Sequence, residues 1–394
     1  MTKKWVNIAD VLFFQEGPGV RNTQYTTSGV KLLNVANLVD GKVDLSKSDR
    51  YISEEEAYGK YRHFLCDDGD FVIASSGIKV EYIDKKMGFV DASMLPLCMN
   101  TSTIRFKVLD ENQLRIRYFM YYLKSKHFKE QLTKQITGSA QLNYGPSHLK
   151  KMIMPLIDIT VQDEIISCMD KLQSIIETRQ RELIELDRLM KARFVELFGD
   201  PRSNPFGFEK KRLKDTCKVI TGNTPSRAIA EYYGDYIEWI KTDNIVSGIL
   251  NPTQATESLS EKGMNVGRTV EKDSILMACI AGSIASIGRV CITDRTVAFN
   301  QQINAVVPEQ YNILFLYVLF QMSKDYLVED INMALKGILS KSKLEEKEFI
   351  IPPMDLQEQF SDFVKQVNKS KVAVQKAFDE TQILFDSLMQ KYFG

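Results

Sequence analysis

Two stretches of this chain carry apolar residues at a spacing that a helix can use only with another helix beside it. The first runs Ile165, Met169, Leu172, Ile176, Leu183, Leu186, Met190, Leu197, in steps of 4, 3, 4, 7, 3, 4 and 7. Those steps are the a and d positions of a heptad, with Arg179 and Arg193 filling two places on the seam. Neither Pro nor Gly interrupts the stretch before Gly199, a favourable residue just past a helix end, and Pro201 follows. A helix from Asp158 to Phe198 would be roughly 60 Å long at about 1.5 Å per residue. The second seam is Phe360, Phe363, Val367, Val374, Ala377, Leu384 and Leu388, with Ser370 and Thr381 in the gaps, and it starts after Pro352-Pro353. A 3.5-residue period held this long requires a partner helix, and each stretch is the obvious partner for the other.

The two stretches belong to a duplication. Residues 152–156 read MIMPL and residues 349–353 read FIIPP, placing Pro155 and Pro352 197 positions apart. Asn100 and Asn300 are separated by 200, Gly138 and Gly337 by 199, Gln162 and Gln357 by 195, and Leu189-Met190 and Leu388-Met389 by 199. In front of each tail, β-like runs such as VKLLNVANL, DFVIAS and STIRFKVL alternate with turn residues. A helical stretch follows, RIRYFMYYLKSKHFKEQL in the first half and NILFLYVLFQMSKDYLVEDI in the second. The expectation is an α+β fold made twice, with a mixed domain over 1–155, a long helix over 156–200, a second mixed domain over 201–352 and a second long helix over 353–394.

Composition and motifs narrow the function. With 51 basic and 51 acidic residues the net charge is zero, which excludes a polybasic mode of nucleic-acid binding but not a local basic patch. Six cysteines without a CxxC pair fit a reducing cytosol. The N-terminus shows no clean apolar signal segment, and the most apolar run, Ile275 to Ile287, is too short to span a bilayer. No P-loop, no G-x-G-x-x-G and no G-x-S-x-G elbow is present. Ile351-Pro352-Pro353-Met354 and Asn204-Pro205-Phe206 only approach the turn of an amino-methyltransferase, and both read better as helix-boundary prolines. The histidines His63, His127 and His148 lie away from ligand spacing, so neither a metal site nor a cofactor site is expected.

Recognition chemistry, in contrast, is abundant. Residues 101–151 hold ten basic and three acidic side chains, and residues 202–227 hold seven and two. Polar loops accompany them: Gly138-Ser-Ala-Gln-Leu-Asn143, Thr221-Gly-Asn-Thr-Pro-Ser226 and Asn300-Gln-Gln302. Asn and Gln can read adenine bidentately, and Arg or Lys can read guanine. Each loop taken singly is equally compatible with ordinary turn chemistry.

These strings in these places resemble the specificity subunit of Type I restriction–modification systems. TGNTPSR at 221–227 followed by DYIEWIKTDNI at 235–245 is similar to the opening of a target-recognition domain in that family. FNQQI at 299–303, GSAQLNY at 138–144 and LIELDRLMKARFVELFGD at 183–200 resemble further family segments. The first half departs by opening with Glu16-Gly17-Pro18-Gly19, and the second tail, ending at Lys391-Tyr392-Phe393-Gly394, is expected to lack an equivalent of Val195–Pro201. The resemblance implies that each mixed domain binds one half of a bipartite double-stranded DNA target, while the helices pack antiparallel and set the spacing. It further implies a cytoplasmic, non-catalytic subunit with no membrane association, docked to two methyltransferase subunits carrying S-adenosylmethionine and joined by restriction subunits using ATP and Mg. The candidate DNA contacts are then Arg21, Asn37, Lys79, Arg105, Lys124, Lys126, Lys129, Gln141 and Asn143 in the first half. In the second they are Thr221, Asn223, Thr224, Ser226, Arg227, Lys241, Asn300, Gln301, Gln302 and Lys341. A self-contained DNA methyltransferase or restriction enzyme is the competing reading.

Overall fold

A computed structural model describes residues 3–136, 143–331 and 337–394. Two compact units result, one of residues 1–177 with 379–394 and one of residues 178–378. The long helices are Ile159–Phe198 and Met354–Phe393, so each contributes one segment to each unit.

The first unit is built on an antiparallel sheet ordered Leu12–Glu16, Thr103–Val108, Phe71–Ala74, Met87–Phe89. Its Phe-Val-Ile-Ala strand is buried at every position, as a short continuous apolar run covered on both faces should be. Alongside, Val30–Leu33 pairs in parallel with Leu97–Met99, and Lys4–Asn7 pairs with Ile153–Leu156. The second unit repeats this strand by strand. Its sheet is ordered Cys217–Thr221, Ile303–Pro308, Ile275–Ala278, Val290–Ile292. Ile237–Ile240 runs parallel to Val297–Phe299, and Lys210–Arg212 pairs with Glu348–Ile350. The apolar run from Ile275 is thus a buried strand followed by a turn, and among the described residues no helix is long and apolar enough to cross a membrane.

A buried glutamine joins each mixed domain to its long helix. Gln162 accepts from the Arg115 backbone N–H (2.9 Å) and donates to the carbonyls of Gln113 (2.8 Å) and Ile157 (2.9 Å). Gln357, 195 positions on, accepts from the Asn312 N–H (2.9 Å) and donates to the Pro352 carbonyl (2.8 Å). Arg115 and Asn312 stand at the N-caps of the helices Ile116–Lys124 and Ile313–Met322, so the same device supports the same helix start twice.

The offset of 195 holds along both long helices. Buried Ile165, Met169, Leu172 and Ile176 recur as Phe360, Val364, Val367 and Lys371; buried Met190, Phe194 and Phe198 recur as Phe385, Met389 and Phe393. This corrects the sequence-derived seam at its ends. Leu189-Met190 does not align with Leu388-Met389. Leu384 is 49% exposed, and Phe363, Leu388 and Leu197 are only half-buried. Leu183, Leu186 and Val374 in the middle are half-buried as well. A straight helix drifts by about 20° per heptad from a strict 3.5 period. The apolar face therefore moves onto Phe194 and Phe198 where the globular domain covers the helix. At this offset Phe393-Gly394 corresponds to Phe198-Gly199, so the counterpart of Val195–Pro201 extends as far as Gly199.

In the second unit the two helix segments run antiparallel, with Phe198 against Phe360 (5.5 Å between ring centres) and Asp187 against Lys371 (2.7 Å). Phe315 completes an aromatic cluster, stacked on Phe194 (5.7 Å) and edge-on to Phe198 (4.8 Å). In the first unit Tyr118 lies 5.1 Å from Phe393 and Tyr121 6.5 Å from Phe385. Truncating Phe198 to Ala should cost about 3–5 kcal/mol, because it empties the centre of that cluster. Leu384→Ala, on the sequence seam but exposed, should stay within about 0.5 kcal/mol. Urea unfolding of the two variants checks the contrast, and equal losses would contradict this account of the buried face.

Candidate nucleic-acid interface

Three loops meet at the same place in each unit. The first begins at a glycine that touches another loop's backbone. Gly17 donates to the Thr103 carbonyl (2.9 Å), and a Cβ on it would fall 2.1 Å from the Asn100 carbonyl oxygen. Gly222 donates to the Ile303 carbonyl (3.0 Å), and its Cβ would fall 2.2 Å from the Asn300 oxygen. Only glycine allows that approach. Gly17-Pro-Gly and Gly222-Asn-Thr-Pro-Ser are therefore the same loop despite their different sequences. The second loop is a turn folded around an asparagine. Asn37 accepts from Asn34 N–H (2.9 Å) and donates to the Asp44 carbonyl (3.1 Å); Asn244 accepts from Lys241 N–H (3.0 Å) and donates to the Gln254 carbonyl (3.1 Å). The third begins at Asn100 or Asn300, whose N–H bonds the carbonyl of Leu33 or Ile240 (3.0 Å each).

One framework presents two surfaces. In the first unit it is a network of neutral side chains with one cation beside it: Asn100 donates to Asn34 Oδ1 (2.7 Å) and the Tyr25 hydroxyl (3.3 Å), Thr101 donates to the Pro18 carbonyl (2.9 Å), and the Arg50 guanidinium lies over the Tyr25 ring (5.3 Å). Ser76 bonds Ser102 (2.6 Å), and a bridge from Ser76 to Asn143 closes the rim. In the second unit it is charged and aromatic. The Arg227 guanidinium lies over Tyr233 (4.4 Å) and Trp239 (5.1 Å) and donates to Glu257 (2.7 Å). Lys241 bonds the other oxygen of Glu257 and lies 5.2 Å from the Trp239 ring. Hydrogen bonds from Lys241 and then Arg227 hold the Glu257 carboxyl below the usual carboxylate range. Two cations shared by one carboxylate leave a net positive site on an aromatic floor, suited to phosphate or to the acceptor edge of guanine.

The sequence candidates divide by burial. Arg21, Lys79, Lys126, Asn143, Thr221, Thr224, Ser226, Arg227, Gln301 and Lys341 are exposed. Lys241 and Gln302 are half-buried, and Thr224 bonds Gln301 across the charged site. Asn223 is also half-buried; its amide is spent on the Val266 carbonyl (2.8 Å) and the Arg268 N–H (2.8 Å). Asn37 and Asn300 are buried parts of the framework, not surface readers. Gln141 lies outside the described residues. Lys129 is tied to Asp84 (3.0 Å) and the Glu81 carbonyl (3.1 Å). Burial lowers the pKa of half-buried Lys124, which lies over Tyr121 (5.1 Å). The basic helix is thus largely engaged in packing. Arg105 is the clearest correction. It is 7% exposed, donates to Gln15, to the carbonyls of Leu65 and His63 (2.7 Å each), and pairs with buried Asp70 (3.2 Å). It alternates inward on a strand whose neighbours supply only acceptors, which a count of positive charge could not reveal. Tyr25, Asn34 and Glu257 were missed. Glu257 reaches its site from 30 positions beyond Arg227, with no local signal.

Comparison with known proteins places this geometry. The model of the Type I restriction modification DNA specificity domain matches twice, over residues 18–188 and 205–381. The chain is 33% identical over 146 residues to the specificity subunit of the Type I restriction enzyme HindI of Haemophilus influenzae. That match covers 36% of this chain and 31% of the relative, about a third of its length. With the MjaIX specificity subunit of Methanocaldococcus jannaschii it is 23% identical over 328 residues, 77% of this chain and 74% of the relative. The crystal structure of a Type I S subunit from M. genitalium aligns over 100% of this chain and 96% of its own, with a TM-score of 0.61 at 15% identity. A chain from a study of assembly and conformational transition in the type I R-M system aligns over 99% and 97%, with a TM-score of 0.56 at 15% identity. At these identities the structural likeness is one of fold.

Arg105→Met should cost about 3 kcal/mol of stability, since it removes one of the two cations 3.2 Å from buried Asp70, leaving Lys107 alone there, and takes the guanidinium donors from the Leu65 and His63 carbonyls. Denaturant unfolding measures this, and an unchanged midpoint would return Arg105 to the surface candidates.

Proposed function

The chain belongs to the Type I restriction modification DNA specificity family, and on that premise we propose that it is the non-catalytic, DNA-reading subunit of a Type I restriction–modification complex. The mixed domains over 1–155 and 201–352 each read one half of a bipartite double-stranded target. The long helices over 156–200 and 353–394 set the distance between the half-sites and dock two methyltransferase subunits. Restriction subunits join that core. S-adenosylmethionine resides on the methyltransferase, ATP and Mg on the restriction subunits, and the complex works in the cytoplasm. A self-contained methyltransferase or restriction enzyme is not favoured by the comparisons.

The observation that carries this reading is the repetition of one loop framework with two different surfaces. A bipartite, asymmetric target needs two readers that share a scaffold and differ in chemistry. Arg21, Lys79, Lys126 and Asn143 are the first domain's contact residues. Thr221, Thr224, Ser226, Arg227, Lys241, Gln301, Gln302 and Lys341 serve the second. Most such contacts go to phosphates and only a few to bases.

Exchange of residues 205–350 for the corresponding segment of a relative should change one half of the modified sequence and leave the other intact. Methylome sequencing of cells carrying the chimaera with the cognate methyltransferase reads this directly; a change in both halves would overturn independent reading. Arg227→Ala should weaken target binding by about 10-fold or more, a loss of ~1–3 kcal/mol. If Arg227 reads a base, the loss vanishes on targets altered in the second half-site; if it binds phosphate, the loss is uniform and the salt slope flattens. Unaltered binding to every target would remove Arg227 from the interface.

A further inference from the structure

The duplicate places buried Ile176 on the first helix where the second helix has Lys371. A lysine in an otherwise apolar register needs partners. The Lys371 side chain is 12% exposed, and its Nζ lies 2.7 Å from Asp187 Oδ1 and 2.7 Å from the Gly248 carbonyl oxygen. One ammonium therefore ties together the second long helix, the first long helix and a loop of the second mixed domain, all within one compact unit.

That loop differs from its duplicate in length and in anchorage. It is closed by Thr253 N–H on the Asn244 carbonyl (3.0 Å), as its counterpart is by Asp44 N–H on the Asn37 carbonyl (2.7 Å). Between those residues the second-unit loop is two residues longer. The shorter loop is a hairpin, Leu38–Val39 with Lys42–Val43, held by its own domain through Gly41 N–H on the Lys85 carbonyl (3.2 Å). It reaches the long helix through Lys42 and Glu177 at 3.7 Å, with side chains 74% and 40% exposed, a pair worth little. The longer loop turns at Gly248, with φ +83°, and borders a cavity of about 440 Å³ lined by Leu183, Asp187, Ile249, Asn368, Lys371 and Val372. The Asn368 amide nitrogen beside it is buried with no hydrogen-bond partner among the described residues. The C-terminal end of the loop is held by its own domain, where Ile292 N–H donates to the Leu250 carbonyl (2.7 Å) and Asn251 donates to the Ile292 carbonyl (2.8 Å), while its tip at Gly248 is tied to the helices by Lys371.

The rest of the anchorage differs too. The first mixed domain grips its helix with Arg115 on Asp163 (2.8 Å), and with Arg117 (2.7 Å) and Tyr121 (2.5 Å) on Asp170. The matching positions in the second are Asn312, Leu314 and Val318, which offer no charge.

We propose that Lys371 is a positioning residue that clamps the Gly248 loop to Asp187, fixes the second recognition domain on the helix pair, and thereby sharpens discrimination between spacer lengths. This rests on the reading given under the proposed function. The test uses the full chain for exchange and its complex with the methyltransferase for binding. Hydrogen exchange at Ser247–Leu250 should quicken by about 10-fold in Lys371→Met and return close to wild type in Lys371→Arg. Lys365→Met, which removes an exposed pair on the same helix, should leave that loop unchanged. Preference for the cognate spacer over one changed by a single base pair should fall by about 10-fold in Lys371→Met, with both half-site sequences retained. Asp187→Asn, a change of nearly equal volume, should loosen the same loop and decides the matter if Lys371→Met unfolds. Wild-type exchange in both variants overturns the clamp, and loosened exchange with intact spacer discrimination overturns its role. A wild-type complex indifferent to spacer length would instead overturn the functional reading, while exchange still decides the clamp.

Discussion

A helix of forty residues with one apolar stripe has no stable existence alone, because helix propensity leaves that stripe in water. Everything else here answers that constraint. Each long helix buries Ile165 to Ile176, or Phe360 to Val367, near its start and Met190 to Phe198, or Phe385 to Phe393, near its end. The residues between are half-buried or exposed. Burial is therefore concentrated where the mixed domains lie against the helices, and each unit includes segments of both.

The duplication survives in what the backbone requires and has lapsed in what the surface offers. Gly17 and Gly222 remain because a Cβ would strike a carbonyl, and Asn37 and Asn244 because a turn folds around their amides. Around these fixed points one unit carries Asn, Thr and Ser with Arg50 over Tyr25, and the other Arg227 and Lys241 sharing Glu257 over Tyr233 and Trp239. The Lys371 position shows the same divergence inside the helix pair, where an apolar contact in one half has become a charged hold in the other.

The heptad pattern and the paired prolines made the helices, their limits and the repeat legible, because periodicity reports directly on which face is buried. The register of the second seam was not legible: Leu384 and Leu388 keep the heptad count, but Phe385 and Met389 take the buried face as the helix drifts. The loops were readable as loops, and TGNTPSR was found where the charged surface forms. Charge counting failed for Arg105, Lys124 and Lys129, since a sum of lysines and arginines cannot distinguish a solvated cation from one paired with a carboxylate or packed on an aromatic ring. Glu257 and Asn34 were invisible because their partners are brought to them only by sheet topology.

The glutamine at the root of each long helix carries a last implication. Among the described residues Gln162 and Gln357 bond to peptide groups. A joint made that way cannot sense which amino acids stand at the end of the domain it holds; it asks only for a peptide N–H at the start of a helix. A front domain of unrelated surface could keep this glutamine fitting and would have to remake only side-chain pairs such as Arg115 with Asp163. Such a socket lets a lineage acquire a new target by recombination, in one step, while its helices and whatever docks on them stay as they were.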